Sequence, residues 1–189
     1  MEADFSVELG PAAPALEMPW EDPAGQWSYL NLRQHPERAA ELPEAAGSPA
    51  LQAFLRAVNA PSSPLESAKC DRWIDQEAGS PGIVAAGGYI DLIFRDAEKQ
   101  LSLPAHEAFA RDAARRLRDL DDDGNLPDPS VAAEFVIRRC YYHAEKCRDI
   151  SRDGYSITLF LNATATDEPM ARQLWEDSLR QLTPALLAL

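Results

Sequence analysis

The order of strand-like and helix-like segments after residue 68 constrains the fold more than any other feature. Lys69-Cys70-Asp71 and Gly88-Tyr89-Ile90-Asp91-Leu92-Ile93-Phe94 read as two strands, followed by a helix opened at Pro104. Arg139-Cys140-Tyr141 and Gly154-Tyr155-Ser156-Ile157-Thr158-Leu159-Phe160 read as two more, followed by a helix opened at Pro169. Side chains alternate across a strand, so Ile90, Leu92 and Phe94 make one apolar face and Tyr155, Ile157, Leu159 and Leu161 another. Phe94 and Phe160, which align between the two sets, therefore fall on opposite faces. This order predicts an α+β fold: two layers, a mainly antiparallel sheet with helices on one face, and a tandem strand-strand-helix repeat. The other face of the sheet is left for solvent, a partner or a second copy.

The remaining segments follow from turn and cap signals. Residues 1–26 are rich in Pro, Ala and acids and are expected to be irregular, with at most a short strand at Phe5-Ser6-Val7-Glu8-Leu9. Residues 27–189 are expected to form a single α+β domain. Its first strand would be Trp27–Leu32, followed by a short helix over 36–46 interrupted at Pro43. Ser48 is placed to cap a helix with Pro49 in its first turn and Leu51, Phe54, Leu55 and Val58 on one face. Asn59–Pro64 ends that helix, and Ala68–Asp75 reads as a strand with Trp73 facing away from Cys70 and Ile74. Gly87-Gly88 reads as a hairpin feature, because glycine accepts positive φ. Residues 104–119 form an amphipathic helix on Phe109, Ala113, Leu117 and Leu120, and 121–130 a loop. Strands are expected over 134–143 and 155–162. A helix over 168–182 would bury Met170, Leu174, Trp175 and Leu182. Thr183-Pro184 would interrupt it, with Leu186, Leu187 and Leu189 packing the chain end onto the core.

Bulk properties narrow the classes of function. With 189 residues, 46% hydrophobic and 26% charged, the chain has a globular composition and can bury a core without staples. Its net charge of −13 argues against nucleic-acid and anionic-membrane binding, since phosphate backbones favour Lys and Arg. Three cysteines is an odd count in a chain that needs no disulfide framework, and the start at Met1-Glu2-Ala3-Asp4 is acidic where a secretory signal is basic. A cytoplasmic location is the expectation.

Four local features invite a chemical reading. Asp119-Leu120-Asp121-Asp122-Asp123-Gly124-Asn125 resembles the opening of an EF-hand calcium loop, with carboxylates at the first, third and fifth positions and glycine at the sixth. The twelfth position is Ser130 rather than glutamate, and Pro127 and Pro129 lie inside the loop, so an acidic helix end is the plainer reading. Cys140, His143 and Cys147, with Cys70 on a neighbouring strand, contain zinc-ligand residue types but no CxxC spacing, and a structural role is expected. A thiolate activated by His143 would need an orienting third group, which no motif around His35 or His106 supplies. Arg138 and Arg139 are adjacent in a strand, so one points to each face. A buried one would need Asp71, Asp91 or Glu134 beside it, and an exposed one could serve an anionic ligand with Tyr141 or Tyr142. Trp20, Trp27 and Trp73 belong to no helical periodicity and either cover the open sheet face or line a partner groove.

No catalytic, cofactor-binding or metal-ligating residue is assigned from these features. The leading expectation is a non-enzymatic protein-binding or scaffold module. Its partner would be another protein, basic in character, and homodimerisation through the sheet face belongs to the same reading. The alternative is a small-molecule-binding protein or enzyme with a pocket between the two strand-strand-helix halves, lined by Arg138 or Arg139, Tyr142 and His143.

Overall fold

The computed structural model describes residues 1–20, 29–76, 82–122, 131–144 and 147–189, with backbone alone at 120–122 and 147–150. The described chain is α+β: a six-stranded, mostly antiparallel sheet with helices packed on it. Strands β1 (Glu2–Glu8) and β2 (Ala15–Met18) come first. Helix α1 (Pro49–Val58), strands β3 (Leu65–Asp75) and β4 (Val84–Phe94), the single turn α2 (Ala97–Gln100) and helix α3 (Leu103–Asp122) follow. Strands β5 (Val131–Ala144) and β6 (Cys147–Ala165) and helix α4 (Glu168–Leu187) complete the chain. The sheet order is β1-β5-β6-β4-β3, with β2 also pairing β5.

Strand, strand and helix do follow one another twice, but the halves are unequal. Strands β3 and β4 have 11 residues each, β5 and β6 have 14 and 19, and α2 has no counterpart after β6. Equivalence of the two units is not established. The face assignment is clear at the centre, where Ile90 opposes Leu159 and Leu92 opposes Ile157 in the β4–β6 pair. All four side chains are buried in the main core, whereas Phe160 is only partly buried on the other face.

In the N-terminal segment the short strand expected at Phe5–Leu9 falls within β1 as far as Glu8, while the rest of β1 and all of β2 correct the expectation of irregular structure. β1 runs parallel to β5 from Glu2 opposite Ala132 to Glu8 opposite Arg138. β2 continues along the same neighbour from Ala15 opposite Arg139 to Met18 opposite Tyr142. Proline excludes a residue from donating within a sheet, so Pro11 and Pro14 lie between the two strands rather than inside either. Tyr29–Leu32, expected in a first strand, is not in one; residues 27 and 28 lie outside the described residues.

Helix α1 forms where its signals place it. Ser48 Oγ accepts from the Leu51 amide at 3.3 Å, Pro49 occupies the first turn, and Leu51, Phe54, Leu55 and Val58 are buried. Residues Pro36–Glu41 and Pro43–Ala45 form two 3-10 turns rather than an α-helix. Phe135, Ile137, Ile157 and Leu159 from the sheet meet Leu117 of α3 and Leu179 and Leu182 of α4 in the core. Each large apolar side chain so buried contributes about 1.5–3 kcal/mol.

Helix α4 runs through Thr183-Pro184 instead of stopping there. An interior proline costs about 3 kcal/mol. The helix accepts that cost because its last turn buries Leu186 beside Leu182, while Thr183 Oγ1 donates to the Leu179 carbonyl at 2.7 Å. Met170, expected on the buried face, is 52% exposed in the first turn, and Leu189 is also exposed.

Gly87 and Gly88 lie within β4, not in a hairpin, and neither has positive φ. A Cβ on Gly87 would stand 2.6 Å from the Trp73 ring, and one on Gly88 would stand 2.9 Å from the Trp175 ring. The glycine pair thus lets one indole lie flat against each side of the same strand.

Candidate functional site

Residues that point away from the helices form the site. The pairing registers align them in rows across the sheet. One row reads Asp4 on β1, Glu134 on β5, Phe160 on β6, Tyr89 on β4 and Asp71 on β3. At about 4.8 Å per strand it spans about 19 Å. The next row reads Ser6, Val136, Thr158, Asp91 and Lys69. Beyond it Glu8 stands beside Arg138, which stands beside Ser156.

The first row is an acidic and aromatic ledge. Tyr89 lies 6.1 Å from Phe160 and 6.5 Å from Trp73, ring centroid to ring centroid. Trp73 is 40% exposed, held flat by Gly87 beneath it. Asp4 and Glu134 are direct neighbours of like charge, and Ser6 Oγ donates to Glu134 at 2.9 Å. Like charges side by side in a sheet repel, and no base on this face pairs with either among the described residues.

The second and third rows hold a polar chain. Glu8 accepts from Arg138 Nε at 3.1 Å and Nη2 at 2.9 Å, and Arg138 Nη1 stands 3.5 Å from Thr158 Oγ1. Thr158 Oγ1 in turn donates to Asp91 Oδ1 at 2.6 Å. Asp91 is only 8% exposed, and burial raises its carboxyl above the usual range against the opposing pull of Thr158, Lys69 and Arg138. Lys69 Nζ sits 5.5 Å from the Trp20 ring and 5.8 Å from Tyr89, while Arg138 lies 5.3 Å over Phe160. Trp20 and the β2 approach stand over these rows and enclose a cavity of about 430 Å3.

Past the third row the face is closed by a second small core. Leu16 and Met18 of β2 pack on Ile93, Cys140 and Tyr142, and the Tyr142 hydroxyl donates to the Tyr155 carbonyl at 2.7 Å. The N-terminal strands therefore cover one end of the open face, and among the described residues the other end is uncovered.

The structure disperses the features read from the sequence as metal or thiol sites. Helix α3 continues to Asp122, so Asp119 and Asp121 are helical rather than in a calcium loop; Asp123, Gly124 and Asn125 lie outside the described residues. Cys70 and Cys140 are on strands separated by β4 and β6, on opposite sides of the sheet, and so are not neighbours. Burial pushes both thiols up to about 12, the reverse of an activated nucleophile. His143 is paired with Glu17 at 3.6 Å, and the Cys147 side chain is outside the description. Among the described residues no group of three His, Cys, Asp or Glu side chains could hold a metal. Neither Arg138 nor Arg139 lies under the helices: Arg138 pairs with Glu8 on the open face, and Arg139 donates to the Leu9 carbonyl at 3.2 Å.

Lys69, Tyr89 and Thr158 were not singled out by sequence reasoning, Phe160 only as facing opposite to Phe94, and Asp91 only as a partner for a buried arginine. The alternation Tyr89-x-Asp91 and Ser156-x-Thr158-x-Phe160 does place them on one face, but their juxtaposition depends on the β4–β6 register.

Together the fold and this face define a two-layer α+β protein with an acidic, aromatic sheet surface. Compared with protein-family models, curated proteins and solved structures, the chain matches none. Among the described residues no helix is long and apolar enough to cross a membrane.

Proposed function

We propose that this chain is a non-enzymatic, cytoplasmic protein-binding module that docks a basic segment of another protein on the open sheet face. The observation that carries the reading is the row Asp4–Glu134–Phe160–Tyr89–Asp71 with Trp73 beside it. Aromatic rings supply contact area and accept cations on their faces, and the flanking carboxylates select lysine and arginine. The protein's own Lys69 and Arg138 already stack on Tyr89 and Phe160, so these rings are reachable by cationic groups. The net charge of −13 steers such a partner toward the chain. A second copy fits less well, because a two-fold contact would set one acidic face, with Asp4, Glu134 and Asp71, against another of the same charge.

The test compares the native chain with a Trp73→Ala, Glu134→Lys double variant. A basic protein captured by the native chain is purified and titrated against both, and its footprint is mapped by hydrogen exchange. The reading expects protection on β3, β4 and β6 and a loss of about 2 kcal/mol or more in the variant, with its melting temperature retained. Equal binding by both chains, or protection confined to the helices, overturns it.

A further inference from the structure

We propose that the cavity between Trp20 and the sheet binds a small zwitterion of the free amino-acid class, its ammonium on Asp91 and Ser156 and its carboxylate on Lys69. The cavity shares Tyr89 and Phe160 with the proposed docking face, but the inference rests on three other features of its lining.

The first is a pair of opposite charges that are adjacent but unjoined. Lys69 and Asp91 face each other directly across the β3–β4 pair, yet they form no ion pair among the described residues. Lys69 instead holds its ammonium over two aromatic rings, and Thr158 is the one hydrogen-bond donor to the Asp91 carboxylate among the described residues. The second is Ser156. It lines the same cavity at 1% exposure, and its hydroxyl has no hydrogen-bond partner among the described residues. Buried hydroxyls are rarely left unmade, so a group that completes Ser156 within this cavity gains the hydrogen bond that the fold leaves open. The third is Arg138. Glu8 already neutralises it, which leaves Lys69 as the cation of the lining that has no ion pair among the described residues.

Charge type then selects the ligand class. A simple cation would meet Lys69 at the mouth, and a simple anion would meet Asp91 at the floor. A molecule carrying both charges a few bonds apart satisfies both, with an amine N–H reaching the Asp91 carboxylate and the Ser156 oxygen. Its hydrocarbon part would rest against Tyr89, Phe160 and Leu16. A volume of about 430 Å3 lies within the range of small-molecule pockets.

The full chain is tested by thermal shift and calorimetric titration with each free L-amino acid. At about 5 mM, any that binds with a sub-millimolar Kd raises the melting temperature measurably. At least one should do so, and its N-acetyl and carboxamide derivatives should not. Asp91→Asn and Lys69→Ala should each weaken binding by about tenfold or more while remaining folded. Lys69 is exposed, so its variant guards against a folding defect at Asp91. The inference is overturned if no free amino acid binds, if either blocked derivative binds equally well, or if both variants bind like the native chain. Docking of a basic protein is read separately, by Trp73→Ala with Glu134→Lys, neither of which lines this cavity.

Discussion

Thr158 Oγ1 on β6 donates to Asp91 Oδ1 on β4 at 2.6 Å, on the side of the sheet facing away from the helices. The pair is nearly inaccessible, with Asp91 at 8% and Thr158 at 2% exposure. A carboxylate in such a place lowers stability unless its interactions offset the lost hydration, and here burial is the dominant influence on its ionisation. The fold would be sounder with a neutral side chain at this position. The ammonium of the ligand proposed above would relieve that imbalance by pairing with the carboxylate.

Asp91→Asn should therefore stabilise the ligand-free chain at neutral pH, by about 1 kcal/mol or more. The sign follows from linkage. A carboxyl whose folded pKa is raised binds more protons folded than unfolded, so its favourable contribution is complete below the ordinary value of 3.8 and is lost as pH rises through the folded value. Urea denaturation from pH 3.5 to pH 7 checks this, since the variant should lack that loss. Thr158→Val should act oppositely, costing about 1–3 kcal/mol by stranding the carboxylate.

His106 predicts a loss of stability on the acid side. It is fully buried in α3, Nδ1 stands 2.8 Å from the Ser102 carbonyl oxygen and so carries the donated proton, and the ring packs edge-on against Phe94 at 4.8 Å. Burial lowers its pKa below 6.5, so the unfolded chain takes up a proton first as pH falls. Stability contributed by neutral His106 should decline below about pH 6.5 until the folded value is passed. His106→Leu should flatten this part of the profile; an unchanged slope would assign the acid sensitivity elsewhere.

The two glycines of β4 make separable predictions. Gly88→Ala drives a methyl into the Trp175 ring and the Asp71 carbonyl, each 2.9 Å away, and should cost about 1–3 kcal/mol. Gly87→Ala meets the side chains of Trp73, whose outer face is in solvent so that the indole can lift, and of Asn162, which must also give way. Tryptophan fluorescence should change more than the melting temperature in Gly87→Ala, and the reverse in Gly88→Ala.

Glu176 on α4 ties two helices together. Its carboxylate accepts from the Ala50 amide at 2.9 Å and from the Ser48 hydroxyl, and so serves the first turn of α1. Glu176→Ala should destabilise by about 1–2 kcal/mol, the scale of a lost helix cap, measurable by chemical denaturation.

Legibility in the sequence followed the range of the interactions. Helix α1 was readable residue by residue, because Ser48, Pro49 and the Leu51-Phe54-Leu55-Val58 stripe act within a few positions of one another. The opposite facing of Phe94 and Phe160 was also readable, since alternation along a strand is local. Only the Phe5–Glu8 part of β1 was legible, and β2 was hidden, because a proline-rich edge segment is held by backbone bonds to β5, more than 120 residues away. Pro184 was misread as a stop because the gain from burying Leu186 is a tertiary quantity.

The sequence by itself determined the class of fold, the helix-facing side of each central strand and the acidic character that limits the kinds of partner. These follow from periodicity, capping and net charge, which are properties of neighbours in the chain. Only the tertiary structure decided that Asp91, Thr158, Ser156 and Lys69 share a cavity and that Asp4, Glu134, Phe160, Tyr89 and Asp71 form one row. Those groupings arise from strand register, and a one-residue shift of any of these strands would move its contributing side chains to the other face.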